Sequence, residues 1–406
     1  MEKIQNQKHA KETLYYSISR MLERASYYGF RALVVLYMIG ETLKMERTEA
    51  LSIYGWFTAS LVFSQIVGAL FGDLLIGNKK SIIIGGIIQA IGAFSLCIPS
   101  TIGLYLGLFL VVLGSGFFTT NIISNFGKIY LNKTKLLDSG FTIFYLAINL
   151  GSFLGILLIG YLGETYGYNI GFVISGILML ISIIPIFLSE EKRLDKIEKN
   201  ELPISKRVLN ILIAFIVVGL FWGFYELSSI RTFDLQLQLS EISTLDIPNH
   251  LWQSLNSIFI LPISIIAIIL WTYFYSNQFF KLMLGFIFGV ISFGILFLIP
   301  EVPTEQHTIT YLISLLFLAI SEIHIAPIIH SILTKYSNPK YLAILISLTF
   351  LPTRLISVIF GLFNDKLYDN PMLGLKIGIV GMTIIGIGLI GYIIINKETT
   401  YNKGYN

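Results

Sequence analysis

Charge is scarce in this chain. Of 406 residues only 13% are Asp, Glu, Lys or Arg, against 55% in the hydrophobic set, and the mean hydropathy is strongly positive. A soluble domain of this length could not hide that much apolar surface, so the solvent for most of the chain is lipid. Cys97 is the only cysteine, which excludes an internal disulfide and a cysteine-built metal site. The net charge is +4 and is not spread as a basic face, so no nucleic-acid partner is expected. No phosphate-cradling loop, zinc-ligand cluster or nucleophile triad stands out. The GSG at 114–116 and the GIGLIG at 386–391 lie inside apolar runs, where glycines serve packing. No cofactor, metal or enzymatic activity is expected. The N-terminal MEKIQNQKHAKE lacks the short apolar run and small-residue cleavage site of a signal peptide, so the first span is expected to be retained.

What the chain has in quantity is long apolar runs. A hydrocarbon core of about 30 Å needs roughly 20 apolar residues in a helix. Twelve segments meet that test, near 14–39, 50–76, 80–99, 102–131, 138–163, 167–189, 207–230, 250–275, 280–300, 308–335, 340–365 and 372–396. The runs are continuous rather than alternating, so helices are expected and not barrel strands. With the N-terminus cytoplasmic, nineteen of the 28 lysines and arginines fall in inner segments and five in outer ones. That asymmetry supports a multi-pass chain in a bacterial cytoplasmic (inner) membrane with both termini inside.

The longest inner connection, SEEKRLDKIEKNELPISK at 189–206, is highly charged and separates six spans from six. The expected organisation is a six-helix half over 1–188, a linker over 189–206 and a second half over 207–406. Two such halves suggest an all-α transporter of the major-facilitator type. A second cue is GALFGDLLIGNKK at 68–80. Gly68 permits close helix approach, Asp73 sits at the cytoplasmic end, and Lys79 and Lys80 follow. The run is similar to the loop 2–3 motif of that superfamily, although an ordinary positive-inside turn would also carry lysines there.

Ionisable residues enter the spans at a cost of roughly 3 kcal/mol each on insertion scales. SRMLERASYYGFRA at 19–32 places Arg20, Arg24, Tyr27 and Arg31 on one helical face, in steps of four, three and four. Glu23 is within reach of Arg20 and Tyr27. Leu22, Ala25, Phe30 and Leu33 occupy the opposite, dry face. Glu226 lies in span seven, Glu322 in span ten and Arg354 in span eleven. Together they indicate a polar cavity, or interhelical pairs that are purely structural. His324 and His330 could relay protons, but hydrogen-bonded interhelical roles suit them better.

These residues resemble the proton-coupled oligopeptide transporter (POT/PTR) family of the major facilitator superfamily. Span one is similar to its ExxERFxYYG motif at Glu23, Arg24, Tyr27, Tyr28 and Gly29, followed by Arg31. Span five, DSGFTIFYLAINLGS, looks like FYxxINxGS at Phe144, Tyr145, Ile148, Asn149, Gly151 and Ser152. Span seven offers Phe221, Trp222 and Glu226, span eight Gln253 and Asn256, and span ten Glu322 with Pro327. The resemblance implies uptake of di- and tripeptides with protons by alternating access, by a functional monomer in the lipid bilayer. It implies that Arg31 holds the peptide carboxylate and Glu322 the ammonium, helped by Asn149 and Asn256. Tyr27, Tyr28 and Trp222 would line the pocket. Glu23, Arg24, Arg20 and Glu226 would couple protons or gate, and Gly68, Asp73 and Pro327 would be structural. A zwitterion suits an arginine on one wall and a carboxylate on the other, because charge-assisted hydrogen bonds act strongly in a partly dry cavity.

The chain also departs from the family. Arg20 stands where the first glutamate of ExxER is usual and Ala25 where phenylalanine is. Thr119, Thr120 and Asn121 replace a lysine-bearing stretch of span four. Val62 or Phe63 stands for a tyrosine, Leu227 for a glutamine and Thr349 for a tryptophan. The 18-residue linker leaves no room for the two extra helices of many bacterial members. Arg20 is therefore expected to take over from span four as the cationic partner of Glu23. Two other readings stand beside peptide symport. One is a different cargo, such as a modified amino acid or a peptide-like metal chelator, and the other is a non-transporting receptor on the same scaffold.

Overall fold

The computed structural model describes residues 2–3, 8–191, 202–244, 252, 255–352, 355–356 and 370–401. Six long helices form the first part: α1 (Lys11–Ile39), α2 (Arg47–Leu70), α3 (Asn78–Ser95), α4 (Thr101–Ile129), α5 (Leu137–Leu154) and α6 (Tyr168–Leu188). Wider π-type turns over Phe71–Ile76 and Gly155–Gly160 prolong α2 and α5, and a last helical piece, Tyr161–Tyr166, completes the fifth span. The second part holds α7 (Ile204–Ile242), α8 (Leu255–Tyr273), α9 (Gln278–Ile295), α10 (His307–Ile323), α11 (Ala326–Tyr336), α12 (Leu342–Leu348) and α13 (Pro371–Tyr401). A two-residue pairing, β1 (Glu2–Lys3) with β2 (Phe274–Tyr275), is the sheet structure among the described residues.

Among the described residues nine helical stretches are long and apolar enough to cross a membrane. α1 carries Lys11, Glu12, Arg20, Glu23, Arg24 and Arg31, and α3 opens on Lys79 and Lys80. These two fall short in composition, not in length. The expected span 340–365 is described only in part, by α12 and a few residues after it, and Arg354 lies outside the described residues. Span ten is not one straight helix. Pro327 has no N–H to give the turn before it, and the chain breaks at His324–Ile325, whose amides bond back only three residues, to Ser321 and Glu322.

The chain divides into two compact units. One comprises Met1–Gln5, Ile204–Ile332 and Thr349–Asn406, and the other comprises Asn6–Pro203 with Leu333–Leu348. In the second unit α1 packs on α5 and α6, and α4 on α2 and α3. Two glycines fix how near these helices come. A Cβ on Gly151 would lie 2.1 Å from the Met21 carbonyl oxygen of α1, and one on Gly68 would lie 2.3 Å from the Gly116 carbonyl oxygen of α4. Any larger residue would push the backbones apart.

The run around Asp73 builds a buried polar knot in this unit. Asn78 Nδ2 donates to Asp73 Oδ1 at 3.0 Å and to Asn121 Oδ1 at 2.6 Å, and Lys128 Nζ donates to Asn78 Oδ1 at 2.6 Å. Asn121 returns a bond to the Gly68 carbonyl at 2.8 Å. Asp73 Oδ2 accepts the Ile344 amide of α12 at 2.9 Å. This carboxylate thus satisfies one of the orphan amides of a helix first turn. Lys79 does likewise at the other kind of helix end, donating to the Ser189 carbonyl after α6 at 2.7 Å.

In the first unit α7 packs on α13, α9 on α10 and α13, and α8 on α10. Serine hydroxyls tie α9 to α10, with Ser292 Oγ on the Ser314 carbonyl at 2.8 Å and Ser321 Oγ on the Gly285 carbonyl at 2.6 Å. Arg231, 2% exposed, grips Asp234 at 2.5 Å and donates to the Pro300 carbonyl at 2.7 Å. It holds the far end of α7 to the chain leaving α9.

Candidate functional site

In the Asn6–Pro203 unit the charged face of α1 closes on itself. Glu23 is fully buried, and Arg20 and Arg24 are nearly so. Arg24 engages the Glu23 carboxylate with two nitrogens, Nε to Oε2 at 2.7 Å and Nη2 to Oε1 at 2.5 Å. Arg20 Nη1 reaches Oε2 at 2.8 Å and the Thr119 hydroxyl of α4 at 3.1 Å. The cationic partner that the sequence moved onto α1 is therefore in contact with Glu23, and the span-four position meets it with a neutral hydroxyl. Tyr27, expected within reach of the carboxylate, is not among its partners. Two guanidiniums fill that carboxylate, and Tyr27 instead lies under Arg24, whose guanidinium stands 4.6 Å from the ring centre. The cluster carries two cations and one anion.

One turn on, Arg31 is only half-buried. Its guanidinium stands 5.8 Å from the Tyr28 ring centre and 5.3 Å from that of Tyr54 on α2, and its Nε donates to the Tyr54 hydroxyl. Cation–π contacts of this kind hold an arginine without consuming its charge. Asn149 on α5 turns its amide back on its own helix, to the Tyr145 carbonyl at 2.9 Å.

In the other unit the centre is Glu322, 5% exposed. Its Oε1 accepts from Asn256 Nδ2 of α8 and from the Tyr225 hydroxyl of α7, both at 2.8 Å. The Asn256 side-chain oxygen is buried and has no hydrogen-bond partner among the described residues. Trp222 packs edge-on to Phe221 and Tyr225, which fixes the Tyr225 ring. Glu226, next in sequence, points to the exposed side of α7. Gln253 lies outside the described residues.

A sequence profile of the Major Facilitator Superfamily matches residues 16–400. The chain belongs to that superfamily. A relative of this facilitator, the uncharacterized transporter YclF of Bacillus subtilis, is 26% identical over 449 residues, spanning 91% of this chain and 90% of the relative. The peptide transporter YePEPT of Yersinia enterocolitica is 35% identical over 174 residues, 41% of this chain and 34% of that one. A di-/tripeptide transporter of Lactococcus lactis is 32% identical over 205 residues, covering 48% and 41%. Among solved structures, a POT family transporter in complex with a thioalcohol-conjugated peptide aligns with a TM-score of 0.65, at 20% identity, over 93% of this chain and 96% of that one. A peptide transporter POT in complex with sulfate aligns at 0.63 and 20% identity, over 96% of each chain. The fold of this facilitator is thereby that of a multi-pass all-helical transporter.

Tyr54, Tyr225 and Lys281 were not among the residues singled out in the facilitator's sequence. Tyr54 lies early in span two, two turns before Val62 and Phe63, where the family pattern has its tyrosine. Tyr225 was hidden beside the more conspicuous Glu226. Lys281 falls among the inner-segment cations by sequence, yet it is 2% exposed, with its ammonium 4.4 Å from the Trp271 ring centre. His324 packs edge-on to the same ring and pairs through Nδ1 with the Ile320 carbonyl at 2.8 Å, a bond within its own helix and not the interhelical one expected.

Proposed function

We propose that this facilitator is an atypical member of the oligopeptide transporter branch, taking up di- and tripeptides or close analogues with protons by alternating access. The observation that carries the proposal is the division of charge. One unit presents an excess of guanidinium on α1, and the other presents the Glu322 carboxylate held by the neutral donors Asn256 and Tyr225. A zwitterionic peptide has one end for each. In this reading Arg31, propped by Tyr28 and Tyr54, meets the peptide carboxylate, and Glu322 meets the ammonium. Asn149, Tyr27 and Trp222 line the path. Glu23, between Arg20 and Arg24, is the proton-coupling carboxylate of the first half, and Glu226 serves the second. The names of the Yersinia and Lactococcus relatives support the peptide cargo. The nineteen-to-five lysine and arginine asymmetry supports a cytoplasmic location of both ends in a bacterial inner membrane.

The test is uptake into proteoliposomes of a labelled dipeptide library, with and without an inward proton gradient. Accumulation of one or more peptides that depends on the gradient is expected. No accumulation of any peptide removes the peptide reading, and accumulation indifferent to the gradient removes the coupling.

A further inference from the structure

A second polar cluster sits at the N-terminal end of α1, outside the residues assigned so far. His9 Nδ1 lies 2.8 Å from the Tyr130 hydroxyl, and the Thr13 hydroxyl lies 2.6 Å from the same oxygen. Tyr130 can donate to the imidazole while accepting from Thr13, so the three form one hydrogen-bonded file. The other ring nitrogen of His9 is 3.5 Å from Ser139 Oγ, and the neighbouring Lys133 donates to the Lys8 carbonyl at 2.8 Å. Tyr130 and Thr13 are buried and His9 is half-buried, so the imidazole is the point where the file meets water.

The same face of α1 leads inward. Thr13, Ser17, Arg20 and Arg24 follow in steps of four, three and four, all buried, and so lie one above another. Thr13 and Arg20 are about 10 Å apart along the axis, with Ser17 between. Ser17 Oγ and Arg20 Nε are buried and have no hydrogen-bond partner among the described residues, and the Tyr16 hydroxyl faces Asn125 on α4 and Ser189. Buried polar atoms left in this way are satisfied by internal water. A hydrated seam would join the two hydrogen-bonded clusters.

We propose that His9, Tyr130, Thr13 and Ser17 form a proton relay between the water-facing turn after α4 and the Glu23 cluster. This rests on the proton-coupled reading above. In the outgoing direction Glu23 gives up a proton to the seam and returns to its carboxylate form. Each hydroxyl accepts one proton and passes on its own, and His9 takes the last on Nδ1 and releases one from Nε2. The groups facing this path are Arg20, Arg24 and Glu12 on α1, Lys133 after α4, and Glu191 after α6. Burial and the Lys133 ammonium hold His9 below the usual imidazole value, which leaves it neutral near neutral pH and able to accept.

The test compares wild type with His9→Gln and Tyr130→Phe in proteoliposomes, using the library dipeptide with the fastest uptake. Gradient-driven uptake should fall about tenfold or more, the scale of a lost proton-transfer group. Counterflow, in which labelled peptide exchanges for unlabelled with no net proton movement, should be unchanged. Imidazole supplied in the lumen should restore His9→Gln. Equal losses in both modes, or no loss in either, would overturn the relay. A wild type inactive in both modes would overturn the transport reading and the relay with it.

Discussion

The Glu23 cluster has one carboxylate for two guanidiniums, and that ratio decides what each substitution does. Glu23→Gln would leave two buried cations with no counter-charge, a loss on the order of 3–5 kcal/mol. Arg20→Met would leave the two-nitrogen Arg24–Glu23 pair intact and remove the excess cation, so it should cost about 1 kcal/mol or less. Thermal unfolding in detergent should therefore rank Glu23→Gln well below Arg20→Met. The opposite order would mean that Arg20, not Glu23, holds the cluster together. Uptake should respond differently, since Arg20→Met alters the charge around the coupling carboxylate. Gradient-driven uptake should fall while counterflow persists. At Glu322 the informative change is Tyr225→Phe. It deletes one hydrogen bond to a charged acceptor, worth about 1.5–3 kcal/mol. KM for a free dipeptide should shift by roughly ten- to a hundredfold with kcat little changed. Transport of the N-acetylated peptide should not move, because it brings no ammonium for Glu322 to meet.

Elements in this chain are held at their ends. Asp73 on the turn after α2 satisfies the Ile344 amide of α12 and sits 4.0 Å from the Lys128 ammonium. Asp73→Ala would lose the capping contact, about 0.5–2 kcal/mol, and leave a buried ammonium without that counter-charge. Asp73→Asn keeps an acceptor for the amide and should be milder, a difference that unfolding midpoints can read. The N-terminal end of α1 is pinned through His9, whose proton affinity in the folded chain lies below the ordinary 6.5. The unfolded segment binds a proton first as pH falls, so the contact's full contribution is present above about that ordinary value and is lost as pH drops through the lower folded one. Amide protection across residues 8–13, taken relative to the intrinsic exchange rate at each pH, should fall as pH drops below neutral, and His9→Gln should abolish the change. The sequence disclosed the face of α1 and the Asp73 run, because periodicity and motif spacing are local properties. It did not disclose that Tyr54 would meet Arg31, that Tyr225 would meet Glu322, or that Lys281 would be buried against Trp271. Those contacts join segments far apart in the chain, and an aromatic in an apolar span looks alike whether it faces lipid or a charge.

At the scale of the molecule, twelve apolar segments and one charged linker sufficed to indicate a facilitator. Burial in lipid forces helices and charge asymmetry forces orientation, and neither depends on side-chain detail. The finer division is less legible. Leu333–Leu348 clusters with the Asn6–Pro203 unit and not with its own half, a consequence of α12 meeting α2, α4 and the Asp73 turn that no span count contains. Orientation itself remains the most economical thing to test. On the orientation proposed from the lysine and arginine count, the α1–α2 turn is outside and the turn before α3 is inside. Glu41 and Lys80 are both exposed, so each can carry a label without disturbing the core. In a Cys97→Ser background, which removes the chain's one native thiol, Glu41→Cys should react with a membrane-impermeant maleimide on intact cells. Lys80→Cys should react only after the membrane is opened. Reversed labelling would invert the topology and turn the His9 relay to the opposite face of the membrane. Equal labelling of both positions in intact cells would break the alternation of spans between them, because a single helix, α2 with its π-type extension, separates the two sites.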